Sequence, residues 1–210
     1  MLSMTSTEIS AGTRERILDA TWQRVREGGA GAAAVKAIAA DAGVSRQLVY
    51  FHYRNRAGLL LAMARHRDRT SGFAGRVRAA EQLPPVKALE ALLRAWCDYL
   101  PELTPVARAL EAALIAGDEG GEAWTDRMGD LHAVLRAAAD RVGGAGRLAP
   151  GWTAATAADW LWAGVQPSTW DHLVAHRHWR PAEYTDRTVA TLLSEVVVPA
   201  GRQAAPRPPQ

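Results

Sequence analysis

Arg46, Gln47 and Tyr50 lie within five residues of one another, in the run SRQLVYFHYRNR. They bring together a forked guanidinium, a side-chain amide and a phenol. A guanidinium matches the acceptors of guanine, an amide matches the donor and acceptor of adenine, and a phenol can bond an anionic phosphate oxygen. Ser45, His52, Arg54, Arg56 and the upstream Lys36 add further donors and positive charge. Arginines such as Arg46, Arg54 and Arg56 are equally common on plain solvated surfaces, so the elements that carry them decide between the two readings.

Those elements read as two short helices joined by a tight turn. Val35, Ile38 and Ala39 recur at i, i+3, i+4 and form a buried stripe, which leaves Lys36 and Asp41 wet. Gly43 sits where the first helix must stop, at a position of positive φ that glycine occupies without a Cβ penalty. Val44 plugs the angle between the helices and Ser45 caps the second. Either Leu48 or Val49 packs inward, and Arg46, Gln47 and Tyr50 then point outward. Asn55 caps a third helix. Arg56 in its first turn opposes the helix dipole, an objection that a nucleic-acid phosphate beside it would remove. The pattern is a helix-turn-helix, and it makes double-stranded DNA the expected partner.

Charge agrees. Residues 1–80 hold thirteen Lys and Arg against six Asp and Glu, a net +7, whereas residues 81–210 hold twelve against sixteen, a net −4. A basic segment carrying the motif, followed by an acidic remainder, suits a nucleic-acid-binding head joined to a domain with another task.

At these residues a family likeness becomes specific. Residues 13–61 resemble the DNA-binding domain of the TetR family of bacterial transcriptional regulators. TRERILDATWQRV is similar to that domain's first helix, VKAIAADAG to its second, VSRQLVYFHY to its recognition helix, and NRAGLLLAM to the entry of its fourth. The resemblance implies that Arg46 and Gln47 read bases, that Tyr50 and His52 contact phosphate, and that Arg56 replaces the Lys that usually meets the backbone there. Ala33 and Ala34 depart from the pattern, standing where the family commonly has a capping Thr or Ser. Gln47 and Leu48 replace a frequent Gly-Thr pair, so the operator sequence cannot be carried over. AWTDRM and DWLWAGVQPSTWDHLV are loosely similar to segments of family C-terminal domains. The resemblance further implies a homodimer formed through the last two long helices, a pseudo-palindromic operator, and a small-molecule effector whose binding releases DNA.

The rest of the chain reads as helix nearly everywhere. The expectation is an all-α fold of about nine helices: a flexible segment at 1–12, a three-helix DNA-binding domain at 13–60, a larger ligand-binding and dimerisation domain at 61–199, and a Pro-rich disordered tail at 200–210. A helix from Asn55 to about Arg78 is threatened by Gly72 and Gly75. Pro84-Pro85 opens another, and Thr104 caps the next. After a DEGG loop, a helix starts at Gly121 or Glu122 and runs to Val142. Gly143–Gly151 is a linker, Thr153 starts a helix through His176, and Pro181 starts the last one. The single Cys97 excludes a disulfide framework, no eighteen-residue apolar run appears, and Met1–Gly12 lacks the marks of a signal peptide, so a cytoplasmic protein is expected.

Five of the eight tryptophans fall between Trp152 and Trp179. Aromatics at helical spacing most often fill cores, but a pocket is the default for a domain of large apolar side chains with interspersed polar groups. Trp96, Tyr99, Trp124, Met128, His132, Trp162 and Gln166 are the chosen lining, Gln166 because it adjoins the kinking Pro167. Leu161, Val165, Leu192, Leu193 and Val196 are the expected dimer face. His172, His176 and His178 beside Asp171 have metal-like spacing and support an alternative reading, a metal-binding protein or small helical enzyme. The helix-ending position of these histidines favours a dipole role instead, and neither a cofactor nor a catalytic constellation is expected.

Overall fold

The apolar face Ile17, Leu18, Trp22 and Val25 is nearly or fully buried, as the helical spacing predicts. It belongs to the first of ten α-helices among the residues that the computed structural model describes, 6–199. These are α1 (Ser6–Gly28), α2 (Val35–Asp41), α3 (Arg46–Tyr53), α4 (Arg56–Thr70), α5 (Phe73–Glu81), α6 (Pro85–Ile115), α7 (Glu119–Gly144), α8 (Ala154–Gly164), α9 (Pro167–Trp170) and α10 (Pro181–Val196). A π-helical turn, Asp171–His176, follows α9. No strand forms among the described residues; Leu148 and Val197 make one isolated antiparallel bridge. The fold is all-α, as expected.

Four boundaries differ from the expected ones. The first helix begins at Ser6, taking in residues expected to be flexible; residues 1–5 and the tail 200–210 lie outside the described residues. The expected helix from Asn55 breaks at Gly72, whose φ of 80° ends α4 and opens α5. Thr104 caps nothing: it is buried in the middle of α6, which runs unbroken through Pro101 and Pro105. Each proline removes one intrahelical hydrogen bond, and burial of Leu100, Leu103, Val106 and Ala107 on both sides of them holds the helix together. The expected helix over 153–176 instead stops at Gly164, because Pro167 cannot donate to the ladder and opens α9 as its first residue.

The chain divides into two compact units, Met1–Ser71 with Leu103–Met128, and Gly72–Glu102 with Gly129–Gln210. The helix-turn-helix thus groups with Leu103–Met128, the end of α6 and the beginning of α7.

In the first unit, Leu59, Leu60 and Met63 of α4 are fully buried, and the Arg67 guanidinium lies over the Trp22 ring of α1 at 5.4 Å. Two ion pairs fasten the ends of α4 to the start of α7. Arg56 meets Asp118 at 2.5 Å, and Asp68 holds Arg127 through Nε at 2.6 Å and Nη2 at 2.9 Å. Arg127 is only 2% exposed, so this second pair is a buried one.

In the second unit, Leu89, Leu93, Trp96, Tyr99 and Leu100 line the inner side of α6. The Phe73 ring stacks on Tyr99 at 5.4 Å and meets Trp96 edge-on at 5.7 Å. Trp96 Nε1–H donates to the Val165 carbonyl at 2.8 Å, just past the end of α8. Arg94 ties α6 to Asp186 of α10 at 2.7 Å. The 143–151 linker is pinned by the chain leaving α10, where Val198 N donates to Arg147 O and Ala149 N to Val196 O, both at 2.9 Å.

The α6–α7 hairpin requires glycine at 121. A Cβ there would run into the Leu114 backbone, with its nitrogen 2.9 Å away. The obstacle is main chain, so no rotamer change relieves it. Gly121→Ala is expected to destabilise the protein by about 3 kcal/mol, at the upper end of overpacking costs. Urea unfolding should show a lower midpoint, and an unchanged midpoint would mean that the hairpin yields.

Candidate nucleic-acid interface

The turn between α2 and α3 is built as its residues require. Gly43 adopts φ 65°, its N–H bonds Ala40 O at 3.2 Å, and Val44 N bonds Ala39 O at 2.9 Å, which together close a Schellman motif. Ser45 then caps α3, its hydroxyl accepting from Leu48 N at 3.2 Å. Ile38, Ala39 and Ala42 are buried, and of the two alternatives on α3 it is Val49 that packs inward, at 1% exposure. Helix α1 holds this pair in place. Arg16 Nε donates to Ala42 O at 3.3 Å, and Arg24 grips Asp41 with both arms, at 2.5 and 2.9 Å. Ala34 begins α2 without any side-chain cap, which matches the departure seen in the sequence.

With Val49 facing inward, Arg46, Gln47 and Tyr50 stand exposed on α3, and Lys36 and Arg54 are exposed beside it. Ser45 serves as a cap. His52 is half-buried and accepts a hydrogen bond at Nδ1 from Arg14 Nε, 3.2 Å away. Burial, then the Arg14 charge, holds its pKa below the ordinary imidazole value. The ring is therefore neutral at neutral pH, with its proton on Nε2. Arg54 ends α3 at φ 44°, a left-handed value for a residue with a side chain. Asn55 caps α4, accepting from Gly58 N at 2.8 Å.

Arg56 is the exception. The structure answers the dipole objection with Asp118, whose carboxylate meets its guanidinium at 2.5 Å. Sequence reasoning missed this because the partner lies 62 positions away. It also missed Phe51, 79% exposed between Tyr50 and His52; an aromatic in an otherwise polar helix face was the available signal.

The ligand residues chosen from sequence do not gather around a cavity. Trp96 and Tyr99 are core, sealed by Phe73, and Trp124 and Met128 are core of the first unit. His132 pairs with Asp159 at 2.8 Å and touches Trp162 edge-on, while Gln166 donates to Trp162 O at 2.9 Å. The second unit does have a groove of about 600 Å3 between α5, α6 and α7. It is lined by Val77, Ala80, Ala88, Leu92, Ala133, Val134, Ala137 and Ala138, with Glu81 and Arg141, and by none of the chosen seven. Arg141 is partly occupied there, donating to Leu83 O at 2.7 Å.

Most of the expected dimer face lies in the core of the chain. Leu161, Val165 and Val196 are fully buried within the chain and Leu192 is 5% exposed, so these side chains are core; only Leu193 is half-exposed. On α8 it is Trp160, 49% exposed, that faces water. The histidine alternative finds no donor set. His172, His176 and His178 are all exposed, and no group of three or more metal-ligating side chains forms among the described residues. No helix among them is long and apolar enough to cross a membrane.

A capped helix-turn-helix with exposed guanidinium, amide and phenol on its second helix, in an all-α chain, defines a DNA-binding protein. Residues 17–63 match the model of the bacterial regulatory proteins of the tetR family. Over this segment the chain is similar to the DNA-binding domain of that family. The solved structures similar to it include a TetR-family transcriptional regulator from Rhodococcus sp., at TM-score 0.73 and 18% identity over 87% of this chain and 97% of that one. NalD, the secondary repressor of the MexAB-OprM multidrug efflux pump in Pseudomonas aeruginosa, matches at TM-score 0.66 and 22% identity, over 92% of this chain and 100% of NalD. SmeT, the repressor of the Stenotrophomonas maltophilia multidrug efflux pump SmeDEF, matches at TM-score 0.66 and 22% identity, over 94% of this chain and 100% of SmeT. At these identities the likeness establishes the fold. No curated protein sequence matches the chain significantly.

Asp118 offers a test of the α4 anchor. The Gly120 backbone N–H at 2.8 Å, and then Arg56, hold its carboxyl below the usual carboxylate range. A carboxyl depressed in the folded state stabilises above its unfolded pKa of about 3.9 and loses that contribution as pH falls through the lowered value. Asp118→Asn keeps an acceptor for Gly120 and loses the charge, so the acid limb of its stability curve should be shallower than that of the wild type. Asp118→Ala loses the cap as well and is expected to cost about 1 kcal/mol more. Unfolding measured from pH 2 to 6 distinguishes the two variants, and identical acid limbs for wild type and Asp118→Asn would exclude the ion pair.

Proposed function

We propose that the chain is a ligand-responsive repressor that binds a pseudo-palindromic operator as a homodimer and leaves it when a small apolar or aromatic effector binds. The observation that carries the DNA reading is the outward face of α3, where Arg46, Gln47 and Tyr50 are free of the core and Ser45 and Val49 fix the helix that presents them. Arg46 and Gln47 read bases, and Tyr50, His52, Arg54 and Lys36 meet phosphates. Arg56, engaged by Asp118, stays with its carboxylate and positions α4.

The NalD and SmeT likenesses support the repressor role, since both are described as repressors of multidrug efflux pumps. One similar structure is a SmeT–triclosan complex, a small aromatic guest in the same fold. In this chain the α5–α6–α7 groove is the effector site, apolar apart from Glu81 and Arg141 and of a size suited to one drug-sized molecule. Dimerisation runs through the exposed sides of α8 and α10, with Trp160 as an anchor, and sets two recognition helices about 34–36 Å apart, one helical turn of DNA. The effector acts by binding the DNA-incompetent spacing more tightly, with a coupling of about 1–3 kcal/mol.

Binding to DNA upstream of the protein's own gene, followed over a range of salt concentrations, tests the reading. Arg46→Ala should relax preference at one base pair at a cost of about 1–3 kcal/mol. Arg54→Ala should weaken all sequences alike and reduce the salt slope by about 0.9, and Arg56→Ala should leave that slope unchanged. A uniform loss from Arg46→Ala, with preference intact, would remove its base-reading role.

The effector site makes a separate prediction. Ala137→Trp fills the groove from an exposed wall, so it should abolish release of DNA by groove-binding compounds and leave operator affinity in their absence unchanged. Undiminished release from the variant would place the effector elsewhere.

A further inference from the structure

Phe51 is 79% exposed, and nothing among the described residues covers it. It follows Gln47 by four residues on α3, so the two side chains share a face. A phenyl ring left in water at the centre of a polar recognition surface has no role in the protein's own core and gains from burial only against a partner. The ring is not loose, however. The His52 imidazole packs edge-on against it with centroids 5.3 Å apart, and Arg14 Nε donates to His52 Nδ1 at 3.2 Å. Arg14 thus orients His52, and His52 orients Phe51.

We propose that Phe51 is a specificity-determining residue that reads the 5-methyl group of a thymine in the major groove, beside the base pair read by Gln47; this rests on the DNA-binding reading above. A phenyl ring has no donor or acceptor for a base edge, and the thymine methyl is the apolar group that the major groove offers. Side chains at i and i+4 are about 5–6 Å apart, a little under two base steps of about 3.4 Å. The thymine therefore lies within two base pairs of the adenine that Gln47 selects. Covering one methyl is worth about fourfold in affinity, from a burial energy of about 0.8 kcal/mol.

The test uses the full-length protein and selection from randomised DNA duplexes. Wild type should enrich a thymine within two base pairs of the Gln47-dependent adenine. Phe51→Ala should lose that thymine while keeping the guanine that depends on Arg46. Replacing the thymine by uracil in the selected duplex then removes the methyl and leaves every protein atom in place. Wild type should bind the uracil duplex about fourfold more weakly, and Phe51→Ala should bind the two duplexes equally. Equal binding of both duplexes by wild type, or an unchanged thymine preference in Phe51→Ala, overturns the methyl contact and leaves the DNA reading standing. Failure of the wild type to enrich any sequence overturns both.

Discussion

The first unit depends on how α4 is fastened. Asn55 starts this helix directly after the recognition helix, so the direction in which α3 points is set by where α4 lies. Its middle is fixed by burial of Leu59, Leu60 and Met63, but apolar packing alone tolerates sliding along the helix axis. The ion pairs at its two ends remove that freedom. A buried pair such as Asp68–Arg127 contributes little net stability, since desolvation offsets most of the attraction, but breaking it is costly and so it fixes register. The exposed Arg56–Asp118 pair is weak by itself and gains from the Gly120 cap, which already holds the carboxylate in position.

The helix-turn-helix was legible in the sequence because its determinants are local. Gly43, Ser45 and Asn55 each act within four residues, and the stripe of Val35, Ile38 and Ala39 follows from helical period, whereas the choice of Val49 over Leu48 needed the fold. The all-α class follows in the same way, whereas the helix expected to run from Asn55 to about Arg78 carried two glycines, and the fold decides that Gly72 is the one that ends it. Thr104 misled because a Thr before Pro looks like a helix start, and only burial along the whole of α6 overrides the two prolines. The partner of Arg56 was not legible at all, because no period relates it to Asp118.

Most of the residues expected to contact an effector or a second copy lie in the core, for one common reason. Large apolar side chains such as Trp96, Tyr99, Leu161 and Val196 draw attention as recognition surfaces, and they are also the residues that a core takes first. The groove forms where side chains are small. Ala80, Ala88, Ala133, Ala137 and Ala138 leave a volume that their neighbours do not fill, and a run of alanines in a helix carries no signal of the space beside it.

Arg54 carries one further consequence. At φ 44° its backbone takes a positive φ that glycine tolerates better than any residue with a side chain, and the arginine there is strained by about 1–2 kcal/mol. The phosphate contact proposed for Arg54 and the durability of the fold therefore pull in opposite directions, and glycine at this position is expected to raise stability while weakening the proposed hold on DNA.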